Sequence, residues 1–104
     1  MVNVNDSTFT NEVLNSVIPV MVYFNAPWVN ECSLLTPVIM QIAQEMRERI
    51  KVVSINADEN DIIVQRYNIK SMPEIFLFRS GKIEDYIIGT RSKSQLLDWI
   101  SSRI

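Results

Sequence analysis

The sequence predicts an α/β domain in which a mixed β-sheet lies between two layers of helix, and three observations predict it. Val20-Met21-Val22-Tyr23-Phe24 and Val52-Val53-Ser54-Ile55-Asn56 are short, nearly continuous apolar runs, the mark of strands buried on both faces. Segments with helical apolar spacing alternate with them, which implies parallel pairing. The last third changes style. There two strand-like runs flank Arg79-Ser80-Gly81-Lys82, the pattern of an antiparallel hairpin. The expected order is β-α-β-α-β-α-β-β-α.

The elements follow in turn. A short strand is expected at Val2 to Val4. Asp6 or Ser7 can cap a first helix whose apolar positions are Phe9, Val13, Leu14 and Val17, and Pro19 stops it. Val20 to Phe24, bounded by prolines, belongs in the middle of the sheet. After Trp28 a long helix turns Leu34, Leu35, Val38, Ile39, Ile42, Ala43 and Met46 inward, with Pro37 predicting a kink one turn past Cys32. The second buried strand, Val52 to Asn56, precedes a short helix near Asp61 to Tyr67. The hairpin runs through Ile75 to Phe78 and Ile83 to Ile88. A final helix, Ser92 to Ile104, offers Leu96, Leu97, Trp99, Ile100 and Ile104 to the sheet.

With 104 residues, 47% of them apolar and 21% charged, the chain is long enough to bury a core without disulfides, and residues 1–104 read as one domain. The net charge of −2 comes from acids and bases mixed along the chain, so no nucleic-acid face is expected. No apolar run spans a bilayer and no basic-then-apolar leader opens the chain, so a cytoplasmic protein without membrane attachment is expected. A form trimmed of an organellar or periplasmic leader would read the same. There is no histidine, and Asp58-Glu59-Asn60-Asp61 lacks the spacing and glycine of a calcium loop, so neither a metal nor a cofactor is expected. That acidic run reads as helix capping.

Ala26-Pro27-Trp28 leading into a helix, Ser71-Met72-Pro73 before a hairpin, and Gly81 and Gly89 near its ends together resemble the thioredoxin family over essentially the whole chain. The resemblance implies the thioredoxin fold, with Pro73 as the cis-proline beside the active site and Gly89 in the loop flanking the substrate groove. It also implies a Trp-Cys-Gly-Pro-Cys motif, which here reads Trp28-Val29-Asn30-Glu31-Cys32. Val29 stands at the position of the nucleophile, and Cys32 at that of the resolving cysteine. The family's buried aspartate and its neighbouring lysine correspond to Tyr23 and Ser54.

Thiol–disulfide exchange passes through a mixed disulfide and needs one thiolate to attack and a second thiol to resolve. One cysteine cannot supply both, so the chain is not expected to work as a conventional protein-disulfide reductase. Two readings stay open. In one the domain is a noncatalytic binder of a peptide or protein, using an apolar surface of Trp28, Val29, Met72, Pro73 and Ile88 beside Gly89, with Glu74 and Glu31 placing negative charge at its rim. In the other it is a monomeric single-cysteine redox protein that forms a mixed disulfide with glutathione or a partner through Cys32. The first, also expected to be a monomer, is preferred because a thiol packed in the first helical turns is shielded from exchange.

Overall fold

A computed structural model describes residues 1–104. Its strands are β1 (Val2–Asn3), β2 (Val20–Asn25), β3 (Lys51–Asn56), β4 (Glu74–Arg79) and β5 (Lys82–Ile88), and its α-helices are α1 (Asn30–Glu45), α2 (Asp61–Arg66) and α3 (Lys93–Ser101). They form one five-stranded sheet in the order β1-β3-β2-β4-β5. β3 runs parallel to both β1 and β2, whereas β4 runs antiparallel to β2 and β5. The run Val20 to Phe24 thus lies in the central strand, where an uncharged sequence satisfies both faces and both edges.

Strand alternation divides the interior into two cores. Met21 and Tyr23 of β2 and Ile75 and Leu77 of β4 meet Leu35, Ile39 and Ile42 of α1 and Leu96 and Ile100 of α3. Val20, Val22 and Phe24 face the other way, with Phe9, Val13, Ile63, Phe76 and Phe78. Aromatic edges interlock there, the rings of Phe9 and Phe78 lying 5.8 Å apart at 80°. α1 runs through Pro37 from Asn30 to Glu45, and α3 opens on a reciprocal cap between Ser92 and Gln95. Gly81 turns the hairpin at φ +78°, where an added Cβ would sit 3.1 Å from the Leu14 carbonyl oxygen.

Three expectations need correction. The first helix is a five-residue π-helical segment, Thr10–Leu14, so the spacing that was to bury Val17 ends early and Val17 is 99% exposed. Its approach is capped by neither Asp6 nor Ser7: Asn5 Oδ1 accepts from the amides of Ser7 and Thr8. Asp6 caps a different element, its carboxylate accepting from the amides of Ile62 and Ile63 in the first turn of α2, while Asn60 Oδ1 accepts from the Asp6 amide. On α1, Leu34 is 70% exposed because it sits about 100° around the helix from Leu35, which takes the inward place.

Candidate functional site

β2 ends at Asn25, and the chain crosses Ala26 to Trp28 before α1 begins. Val29 is the residue preceding α1, with extended backbone (φ −90°, ψ 116°), and its carbonyl accepts from the Cys32 amide at 3.1 Å. That turn folds the Val29 side chain inward. Val29 and Cys32 are 8% and 4% exposed and pack with Ala26, and half-buried Met72 closes over them. The valine expected on an apolar surface patch is therefore a buried residue, packed in one cluster with the thiol-bearing Cys32. Cys32 is the only cysteine and forms no disulfide.

The central strand contributes a hydroxyl to the first turns of α1. Tyr23 is fully buried, and its Oη donates to the Cys32 carbonyl at 3.0 Å and lies 2.9 Å from Thr36 Oγ1, which itself donates to the same carbonyl at 2.7 Å. Burial pushes the Tyr23 phenol up from its ordinary value of 10.0 to about 12, with the Thr36 hydrogen bond working against that rise. This group is a neutral knot joining β2 to α1 and has no charge to exchange. Sequence reasoning placed Tyr23 here but missed Thr36, whose only signal is its position four residues after Cys32, on the same helix face.

Ser54, opposite Tyr23 in the parallel register, is held by Asn25, whose Nδ2 donates to Ser54 Oγ at 2.7 Å and to the Ile55 carbonyl at 3.3 Å. Around these ends of β1, β2 and β3 lies a polar cleft of about 540 Å³ lined by Asn3, Asn5, Asn25, Ser54, Asn56 and Asn60, among others. No buried side-chain nitrogen or oxygen in the protein lacks a hydrogen-bond partner. No group of three or more His, Cys, Asp or Glu side chains converges as a metal site would require.

The second half of the site precedes β4. The Met72–Pro73 peptide bond is cis, Pro73 is buried, and its carbonyl accepts from the Gly89 amide at 2.9 Å, which ties the loop to the end of β5. Trp28 projects into solvent and is 70% exposed. Glu74 is not on the rim. It is 4% exposed, and its Oε2 accepts from the amides of Lys70 at 3.2 Å and Ser71 at 3.3 Å. Strand alternation forces this, because Glu74 shares its face of β4 with Phe76 and Phe78. Glu31 does remain exposed.

The fold thus brings Val29, Cys32 and Met72 into one cluster and joins Pro73 to Gly89. Ile88, 53% exposed, lines a different groove with Tyr86 and Ile83.

A family model described as Thioredoxin matches residues 1–102. The chain is 46% identical over 102 residues to a protein named Thioredoxin from Rickettsia prowazekii (strain Madrid E), covering 98% of this chain and 97% of that one. It is 40% identical over 102 residues to Thioredoxin of Rickettsia bellii (strain RML369-C), with the same coverage. Thioredoxin 1 of Synechococcus elongatus (strain ATCC 33912 / PCC 7942 / FACHB-805) is 39% identical over 101 residues, 97% of this chain and 94% of the relative.

Proposed function

The chain belongs to the thioredoxin family, and from that premise we propose that it is a noncatalytic member, a peptide or protein binder with little or no dithiol-disulfide reductase activity. One observation carries the proposal: its single thiol belongs to Cys32, which is 4% exposed and packed with Val29. A resolving cysteine without a nucleophile cannot start exchange, and a buried one cannot take over the attack. What remains for a partner is the exposed Trp28 ring together with half-buried Met72 and Gly89, where the backbone beside the buried Pro73 can pair with an extended peptide as an added strand does. The protein would act as a monomer in the cytoplasm.

The test is a disulfide-reduction assay on insulin with the wild type, Cys32→Ser and Val29→Cys. Wild type and Cys32→Ser are expected to match at background. Val29→Cys should restore part of the activity, since Tyr23 and Ser54 leave no charged group to move protons. Wild-type turnover clearly above Cys32→Ser overturns the proposal, and mass-spectrometric detection of a glutathione adduct on natively folded Cys32 would favour the single-cysteine redox reading instead. A peptide whose amide-shift footprint on the wild type includes Trp28 and Met72 should lose its binding in Trp28→Asp without a change in the circular-dichroism spectrum.

A further inference from the structure

One face of the sheet is incompletely covered. Phe76 and Phe78 of β4 are buried, yet on the neighbouring edge strand Ile83, Tyr86 and Ile88 are 43%, 54% and 53% exposed. Simple alternation would put Ile83 on the opposite face from the other two. A register shift changes that: Leu77 pairs with Asp85 but Phe78 with Ile83, so Glu84 is the extra residue of a bulge. Ile83, Tyr86 and Ile88 consequently stand opposite Phe78, Phe76 and Glu74 on one face. The Tyr86 ring stacks on Phe76, with centroids 5.3 Å apart at 23°.

Between this apolar stripe and the end of α2 with the segment that follows it lies a groove of about 580 Å³. Its far wall carries Arg66 and Lys70, both exposed. The ion pairs of the protein are Lys51 with Glu12, Lys93 with Glu45 and Arg103 with Asp85, so neither groove cation has an acidic partner. Glu74 is the only acid in the lining, and its Oε2 is occupied by two backbone amides. An apolar floor beneath two unpaired cations is complementary to a chain segment with apolar side chains and carboxylates.

We propose that this groove is a second docking site, distinct from the Trp28 and Pro73 surface, and that it takes an extended acidic segment of a partner polypeptide. Apolar side chains of that segment seat against Phe76, Tyr86 and Ile88, and its carboxylates meet Arg66 and Lys70. Ile83, Tyr86 and Ile88 stand opposite alternate residues of β4 and so match the two-residue repeat of an extended peptide, whereas the stacked bases of a nucleic acid would find one ring, Tyr86, between two aliphatic side chains.

The test titrates the full chain with a short fluorescein-labelled peptide of alternating Glu and Val, its Lys-Val counterpart and a single-stranded oligothymidylate, and follows backbone amide shifts by NMR. Only the Glu-Val peptide should bind saturably, shifting residues 66–71 and 83–88, with affinity falling as salt rises. Arg66→Glu/Lys70→Glu should weaken it by about tenfold or more, and Tyr86→Ser should weaken it as well. Trp28→Asp should leave it unchanged, so failure here and failure of the Trp28 surface are separable. The proposal is overturned by absence of saturable binding, by equal binding of the Lys-Val peptide, by preference for the oligonucleotide, by shifts confined to the Trp28 and Pro73 surface, or by shifts that follow protein self-association instead of peptide.

Discussion

If Val29 is the lid over Cys32, trimming it should make the thiol reactive without opening the rest of the fold. Val29→Ala deletes two carbon groups from a side chain that is 8% exposed. At about 0.8 kcal/mol per buried methylene, plus a term for the cavity left against Met72 and Ala26, the local contact weakens by about 2 kcal/mol. Native-state labelling of a buried thiol follows the population of the opened form, and about 1.4 kcal/mol is tenfold, so Cys32 should react about 30-fold faster with an aromatic disulfide reagent. Val13→Ala provides the control. Val13 is 1% exposed but belongs to the phenylalanine core on the other side of the sheet, so its loss should lower the urea midpoint comparably and leave labelling far less changed. Equal acceleration in the two variants, or none in Val29→Ala, would refute the lid.

Two pH dependences follow from the charged and hydroxyl groups. The Tyr23 phenol is raised from 10.0 to about 12 in the folded chain, so its contribution is fully present below pH 10 and is lost as pH climbs toward 12. The loss is on the order of 2–3 kcal/mol and should be absent in Tyr23→Phe; urea midpoints of the two proteins that fall in parallel above pH 10 would contradict it. At the acid end, Asp85 is held below its ordinary 3.8, first by the Trp99 indole N–H at 2.9 Å, then by the Tyr86 amide, with Arg103 assisting. A depressed carboxylate contributes above its unfolded value and loses that contribution as pH falls through the folded one. Asp85 is about a third exposed, so solvent screening keeps the effect small, read as a shallower urea-midpoint decline below pH 4 in Asp85→Asn.

The sheet was legible because its central strands are apolar on both faces, so Val20 to Phe24 and Val52 to Asn56 could be placed without knowing what covers them. Helix faces were less secure. Leu34 and Leu35 are adjacent and equally apolar, and only the position of the sheet decides which turns inward. At the site, the family positions could be numbered but the side-chain directions could not. Val29 reads as surface in a linear sequence because an extended residue before a helix can point either way, and packing against Cys32 and Met72 settles the matter. Glu74 did carry a usable signal: it alternates with Phe76 and Phe78, and that two-residue period places its carboxylate inside. The Asp6 cap on α2 was out of reach, since it joins residues more than fifty positions apart.

The Tyr23 hydroxyl has a consequence for how the central strand finds its place. β2 is apolar or aromatic from Val20 to Phe24, and over that run hydrophobicity alone barely distinguishes its native alignment from one slipped by a single residue. Such a slip would rotate Tyr23 into the phenylalanine core, leaving its hydroxyl far from both Thr36 and the Cys32 carbonyl and without a partner in a dry interior. One oxygen atom therefore acts as an alignment mark, assigning each face of an otherwise ambivalent strand to its own layer of helices.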